Sequence, residues 1–170
     1  IIGSGRVGYS MGKYMQDHGI RVTGFYDRHR ERALDAAQFT GTDSFDRIED
    51  LVAASDTLFL TTSDGEIANV WDCIRHLSIQ GKIICHFSGS LSSDQFQGIE
   101  KTRAYGLSIH PMLAFSDKYT SYKQLQNAFF TLEGHAQALA VMEPLLQKMG
   151  NPVQRIAPEQ KALYHAAAAT

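Results

Sequence analysis

Three glycines open the chain at a spacing that suits phosphate chemistry. In Gly3-Ser4-Gly5-Arg6-Val7-Gly8 the first glycine permits a tight turn and the second lets a ligand approach the backbone. The third lets a helix pack close to a strand. A helix beginning there presents free N–H groups and its positive dipole end to a pyrophosphate. Roughly 20 residues after such a motif an acid is expected on a ribose, or an arginine on a 2′-phosphate. Asp27 stands at the first place and Arg28 and Arg30 near the second, while Arg32 reads as part of a solvated charge run.

A second group of residues suits proton transfer. Lys161 and His165 lie four apart, so they share a face of one helix. Both can donate a proton or a hydrogen bond to an acceptor atom that gains negative charge. His110, followed by Pro111, closes an apolar run and is expected on the opposite wall, with Ser88 orienting a substrate. On pattern alone, Lys161 and His165 also fit a surface lysine and a half-buried histidine.

The elements that must position these groups alternate in type. Ile1-Ile2 is a strand stub, and Val7, Met11, Tyr14 and Met15 mark a helix ending at Gly19. Strands are expected at 21–26, 57–62, 82–87 and 104–109. Helices are expected around 30–38, 45–54 and 64–77, the last with Ser63 and Glu66 at capping-box spacing. A late strand near Ala128 to Leu132 precedes a helix that Pro144 should kink or divide. A short strand near Pro152 to Ile156 precedes a final helix from Pro158. This alternation predicts an α/β fold, doubly wound with a mainly parallel sheet of Rossmann type. The late strands should extend one edge, at least one of them antiparallel. In such sheets ligands bind outside the carboxyl ends of the strands. Thr61-Thr62-Ser63, Ser88-Gly89 and His110-Pro111 all fall at that edge.

Composition excludes other classes. The chain has 170 residues, 44% hydrophobic and 20% charged, with a formal net charge of −2. That profile offers no basic surface for nucleic acid and no run to span a bilayer, so a cytoplasmic protein is expected. Cys73 and Cys85 read as reduced thiols, and His18, His29, His76, His86 and His135 show no metal-ligand spacing.

IIGSGRVG, HFSGSLSS, SIHPMLAF, LEGH and APEQKALYHAAAA, in that order, carry a family resemblance over essentially the whole chain. It resembles the Rossmann-like proteins with a C-terminal helical domain of unknown function, distant relatives of pyrroline-5-carboxylate reductase and the β-hydroxyacid dehydrogenases. The resemblance implies an NADP- or NAD-linked oxidoreductase acting on a small molecule. In the β-hydroxyacid dehydrogenases a serine-glycine loop and a helical lysine line the substrate site. Ser88-Gly89 and Lys161 match these in kind, whereas His165 stands where those relatives have asparagine. Arg28 and Arg30 favour NADP and Asp27 opposes it; the resemblance tips the balance to NADP.

The expected reaction is hydride transfer to a small carbonyl or imine. The alternative is an NAD(P)-binding sensor or scaffold without turnover. Residues 1–157 are read as the dinucleotide-binding domain and 158–170 as the start of a helix. The uncapped run Ala166 to Ala169 is expected to continue into a helical domain that forms a homodimer.

Overall fold

Ile2 stands at the centre of the sheet. It bridges Tyr26 in parallel on one side and Leu60 in parallel on the other, joining two sets of strands into one layer. The structure is a computed structural model and describes residues 1–168. On one side lie β1 (Gly24–Phe25) and β2 (Asp43–Ser44), paired in parallel. On the other run β3 (Thr57–Leu60), β4 (Ile83–His86), β5 (Tyr105–Pro111), β6 (Phe130–Gly134) and β7 (Val153–Arg155), in that order. Pairing is parallel except between β5 and β6. This is the predicted Rossmann arrangement, with its late strands on one edge and an antiparallel step.

Side-chain alternation explains why helices cover both faces. Leu58 and Leu60 face one core, with Leu51, Ile67, Trp71 and Ile74. Phe59, between them, faces the other, with Tyr9, Met11, Phe25 and Leu139. The first core is covered by α3 (Ile48–Ala54) and α4 (Ile67–Ile74). The second is covered by α1 (Arg6–Asp17), α2 (Arg30–Thr40) and α5 (Ala136–Lys148). The last described helix is α6 (Lys161–Ala168), entered through a 3₁₀ turn at Pro158–Gln160.

Several boundaries differ from expectation. The strand read at 21–26 narrows to β1, and β2 was not foreseen. The helix read at 64–77 begins as a 3₁₀ turn, Asp64–Glu66, without a side-chain cap, and its α-helical part ends at Ile74. Pro144 does not divide α5. The carbonyl that loses its N–H partner there belongs to Ala140, on the exposed side, where water can satisfy it. Among the described residues no helix is long and apolar enough to cross a membrane.

Candidate active site

The glycine loop is built as a strand-to-helix turn. Gly3 adopts φ +100°, a conformation L side chains rarely take, and its N–H donates to Tyr26 O at 2.9 Å. Gly5 is the N-cap of α1. A Cβ on Gly8 would collide with Gly3 O and stand 2.7 Å from Thr61 Oγ1. Gly8 is thus where the helix packs onto the strand ends. Thr61 supports the turn by donating its hydroxyl to Gly3 O at 2.7 Å.

Asp27 ties this turn to the end of β1. Its Oδ2 accepts the Ser4 N–H at 2.8 Å and its Oδ1 the His29 N–H at 2.9 Å. The carboxylate therefore holds the loop in shape and keeps further lone pairs for a ligand hydroxyl.

Beside the turn lies a cleft of about 440 Å³. Gly3, Ser4, Gly5, Asp27 and Arg28 line one side, and Thr61, Thr62 and Ser63 another. Ser4 Oγ and Thr62 Oγ1 are buried there without a partner. Unpaired buried hydroxyls are costly, so they fit a site completed by a polar ligand. A Cβ on Gly5 would meet nothing nearer than Thr61 O at 3.9 Å. Among the described residues nothing else comes within 4 Å of that point, which suits the close approach of a pyrophosphate.

Other residues of the motif sit elsewhere. Arg6 is exposed and donates to Phe115 O at 3.4 Å, and Val7 packs on the core. The N–H groups of Arg6, Val7 and Gly8 lie in the first turn of α1, where no intrahelical acceptor exists. Arg30 pairs with Asp46 at 2.7 Å, away from the cleft. Arg32, read as surface charge, lines the cleft with Arg28 instead. Cys73 is exposed and lines the far wall, whereas Cys85 is buried in the core, which pushes its thiol pKa up.

The second group gathers around the loop after β4. Lys161 is 2% exposed and donates its Nζ to Ser88 O at 2.7 Å. Burial lowers its pKa to about 8, against the pull of Glu133 and Asp64. Two of its three N–H donors remain for other partners. The Ser88 hydroxyl is turned into the loop: it donates to Asp64 at 2.8 Å and accepts the Ser90 and Leu91 N–H groups at 3.2 and 3.0 Å. What Ser88 offers Lys161 is its carbonyl.

Gly89 lies under two imidazoles. A Cβ there would collide with His165 Nδ1 and stand 2.8 Å from His110 Nε2. The two rings are 5.9 Å apart between centroids, and Nδ1 of each is buried without a partner. Burial, with Lys161 and His165 nearby, lowers the His110 pKa to about 4, so its ring is neutral near pH 7. Lys161, His110, His165 and Gly89 are therefore brought together. Asp64 and His86 were missed. Asp64 binds Ser88 and directly follows Ser63 of the cleft, so the two groups share one edge of the sheet. Chemically, the arrangement sets one buried ammonium and two under-bonded imidazoles at the same sheet edge as the glycine-loop cleft.

Known proteins share this architecture. Residues 1–79 match the oxidoreductase family with an NAD-binding Rossmann fold, and residues 128–170 match the domain of unknown function DUF2520. Among solved structures, BF3122 of Bacteroides fragilis, described as a candidate NADP oxidoreductase, is 20% identical with a TM-score of 0.85. The alignment covers 98% of this chain and 63% of that one. Protein TM1727 of Thermotoga maritima is 23% identical with a TM-score of 0.71, covering 98% and 60%. An imine reductase from a Pseudomonas species is 19% identical with a TM-score of 0.76, covering 99% and 59%. No curated protein matches the sequence. The chain thus spans about six-tenths of the length of these solved relatives. These likenesses show the fold: a Rossmann-type α/β layer whose residues 1–79 match the model of the oxidoreductase family with an NAD-binding Rossmann fold. The chain's C-terminal segment matches the domain of unknown function named above, as the resemblance in the sequence implied.

Proposed function

We propose that this chain is the cofactor-binding part of an NADP-dependent reductase that delivers hydride to a small carbonyl or imine. The observation that carries the reading is the buried Lys161 ammonium. It is held at Ser88 O beside the unpartnered Nδ1 atoms of His110 and His165, at the same sheet edge as the glycine-loop cleft. A bound nicotinamide would supply the hydride. The protein must then handle the charge that appears on the acceptor heteroatom. Lys161 has two donors left to direct at it and can release a proton near neutral pH. His110, neutral and half-buried, can donate or accept a hydrogen bond. His165 faces it across Gly89 and can do the same.

Arg28 and Arg32 support NADP over NAD. Both line the cleft, and guanidinium groups suit a phosphate monoester through charge-assisted bonds. Asp27 opposes a phosphate less than its sequence position suggests, because both its oxygens already accept backbone N–H groups. A homodimer formed through helices beyond α6, which would close the site, belongs to the same proposal. The test is NADPH oxidation by the full-length protein with imines, keto acids, imino acids and aldehydes. Turnover with any of these supports the reductase. Tight binding with no turnover across the panel favours the sensor alternative.

A further inference from the structure

Glu133 and Lys161 are the buried carboxylate and lysine side chains among the described residues, each 2% exposed. They grip opposite ends of one loop. Lys161 Nζ donates to Ser88 O at 2.7 Å. Five residues on, Glu133 accepts the Ser93 N–H at 2.7 Å and the Ser93 hydroxyl at 2.6 Å. The residues between are held as well. Ser108 donates to Leu91 O at 3.4 Å, and His86 Nε2 to Ser92 O at 2.8 Å.

His86, Ser108 and Glu133 stand in register on β4, β5 and β6. Residues paired across strands point to the same face of a sheet. Three adjacent strands therefore each hand one polar side chain to three successive loop residues. Three buried polar groups in a row are expensive unless each is satisfied. Here each is satisfied by the loop that carries Ser88 and Gly89.

We propose that Glu133 is a positioning residue of the reductase site: it fixes the loop whose carbonyl orients Lys161, and it supplies the buried negative charge that stabilises the ammonium. The inference rests on the reading of Lys161 as the proton donor of that site. Glu133 touches no substrate in this account and acts through Lys161. The charged and titratable groups coupled to Lys161 are Glu133 from β6, Asp64 from the turn before α4, His110 from β5 and His86 from β4, with His165 on α6 standing against His110. Of these, Glu133 has the largest effect favouring the ammonium and Asp64 the next. Without Glu133, desolvation is opposed by Asp64 alone, and Lys161 loses its proton at lower pH.

The test is an NMR titration of carbon-13-labelled lysine in the full-length protein, with the Lys161 resonance assigned by its loss in Lys161→Met. In Glu133→Gln the Lys161 midpoint should fall by about one unit or more, the range for removing a nearby opposite charge. Glu133→Asp, which keeps the charge, should return it toward wild type. A midpoint that moves by less than about 0.3 units in Glu133→Gln overturns the proposal, as does an equal fall in Glu133→Asp. Should Glu133→Gln not fold, Glu133→Met, an apolar replacement of similar volume, is read by the same criterion. NADPH binding, followed by fluorescence in the same samples, separates the two claims. A wild-type protein that binds no NADPH overturns the reductase reading and leaves the Lys161 titration to stand or fall alone.

Discussion

Lys161 Nζ stands 2.7 Å from the carbonyl oxygen of Ser88, a residue 73 positions earlier in the chain. This contact brings the first turn of α6 to the carboxyl end of β4 and buries the ammonium there. Lys161→Met should lower kcat on the order of 10²-fold or more, the usual effect of removing a general acid, with NADPH affinity nearly unchanged. Wild-type kcat should fall as pH rises through about 8, where the buried ammonium loses its proton. Steady-state kinetics against pH, in both proteins, checks both statements; the variant should lack that alkaline limb.

Two glycines of the motif should respond differently to the same substitution. Gly8→Ala drives a methyl group into Gly3 O and Thr61, so it should lower the melting temperature and weaken NADPH binding together. Gly5→Ala meets nothing closer than 3.9 Å in the protein. Its melting temperature should stay near wild type while NADPH affinity falls by about tenfold or more, about 1.4 kcal/mol. Thermal unfolding and fluorescence titration on the two variants distinguish a packing glycine from one that faces a ligand.

Cofactor preference should rest on Arg28 and Arg32. Replacing both with alanine should weaken NADPH binding by about tenfold or more and leave NADH binding within about twofold. Arg30→Ala should change neither, since Arg30 is engaged with Asp46 at the surface. Direct titration of both cofactors against the three proteins reads the outcome.

His86 makes stability sensitive to acid. Its Nδ1 accepts the Ser88 N–H at 3.2 Å and its Nε2 donates to Ser92 O, an arrangement that needs the neutral ring. Burial lowers its pKa from 6.5 to about 4. The unfolded chain binds this proton below about pH 6.5 and the folded chain only near 4, so stability is lost as pH falls between the two. The effect at one such group is of the order of 3 kcal/mol. Urea unfolding at several pH values should show this slope; His110, lowered to about 4 as well, adds to it, so His86→Gln should reduce the slope by about half.

The legible parts of this protein are those whose physical requirement is local. The glycine spacing, the alternation of strands and helices and the switch to a late antiparallel edge all follow from short-range pattern. β2 escaped notice because Asp43–Ser44 is two polar residues long, and parallel pairing with β1 alone makes it a strand. Arg32 rather than Arg30 lines the cleft, because helix phase depends on where α2 starts. Asp64, His86 and Glu133 drew no functional reading because their partners lie 24, 6 and 40 residues away. A signal was present even so: His86 and Glu133 are the ionisable residues of two mostly apolar strands, IICH and FTLEG. A buried polar residue in such a run needs a partner, and here the partners mark the site.

The central claim is that hydride leaves the cofactor held by the glycine loop and reaches a carbonyl or imine beside Lys161. It is tested most directly by incubating the full-length protein with NADPH deuterated at the transferable position and the panel of imines and carbonyl compounds, then measuring deuterium in the products by mass spectrometry. The account predicts one deuterium per reduced product with at least one member of the panel, and loss of that transfer in Lys161→Met. NADPH that binds but delivers deuterium to none of them, or transfer that survives undiminished in Lys161→Met, would contradict it.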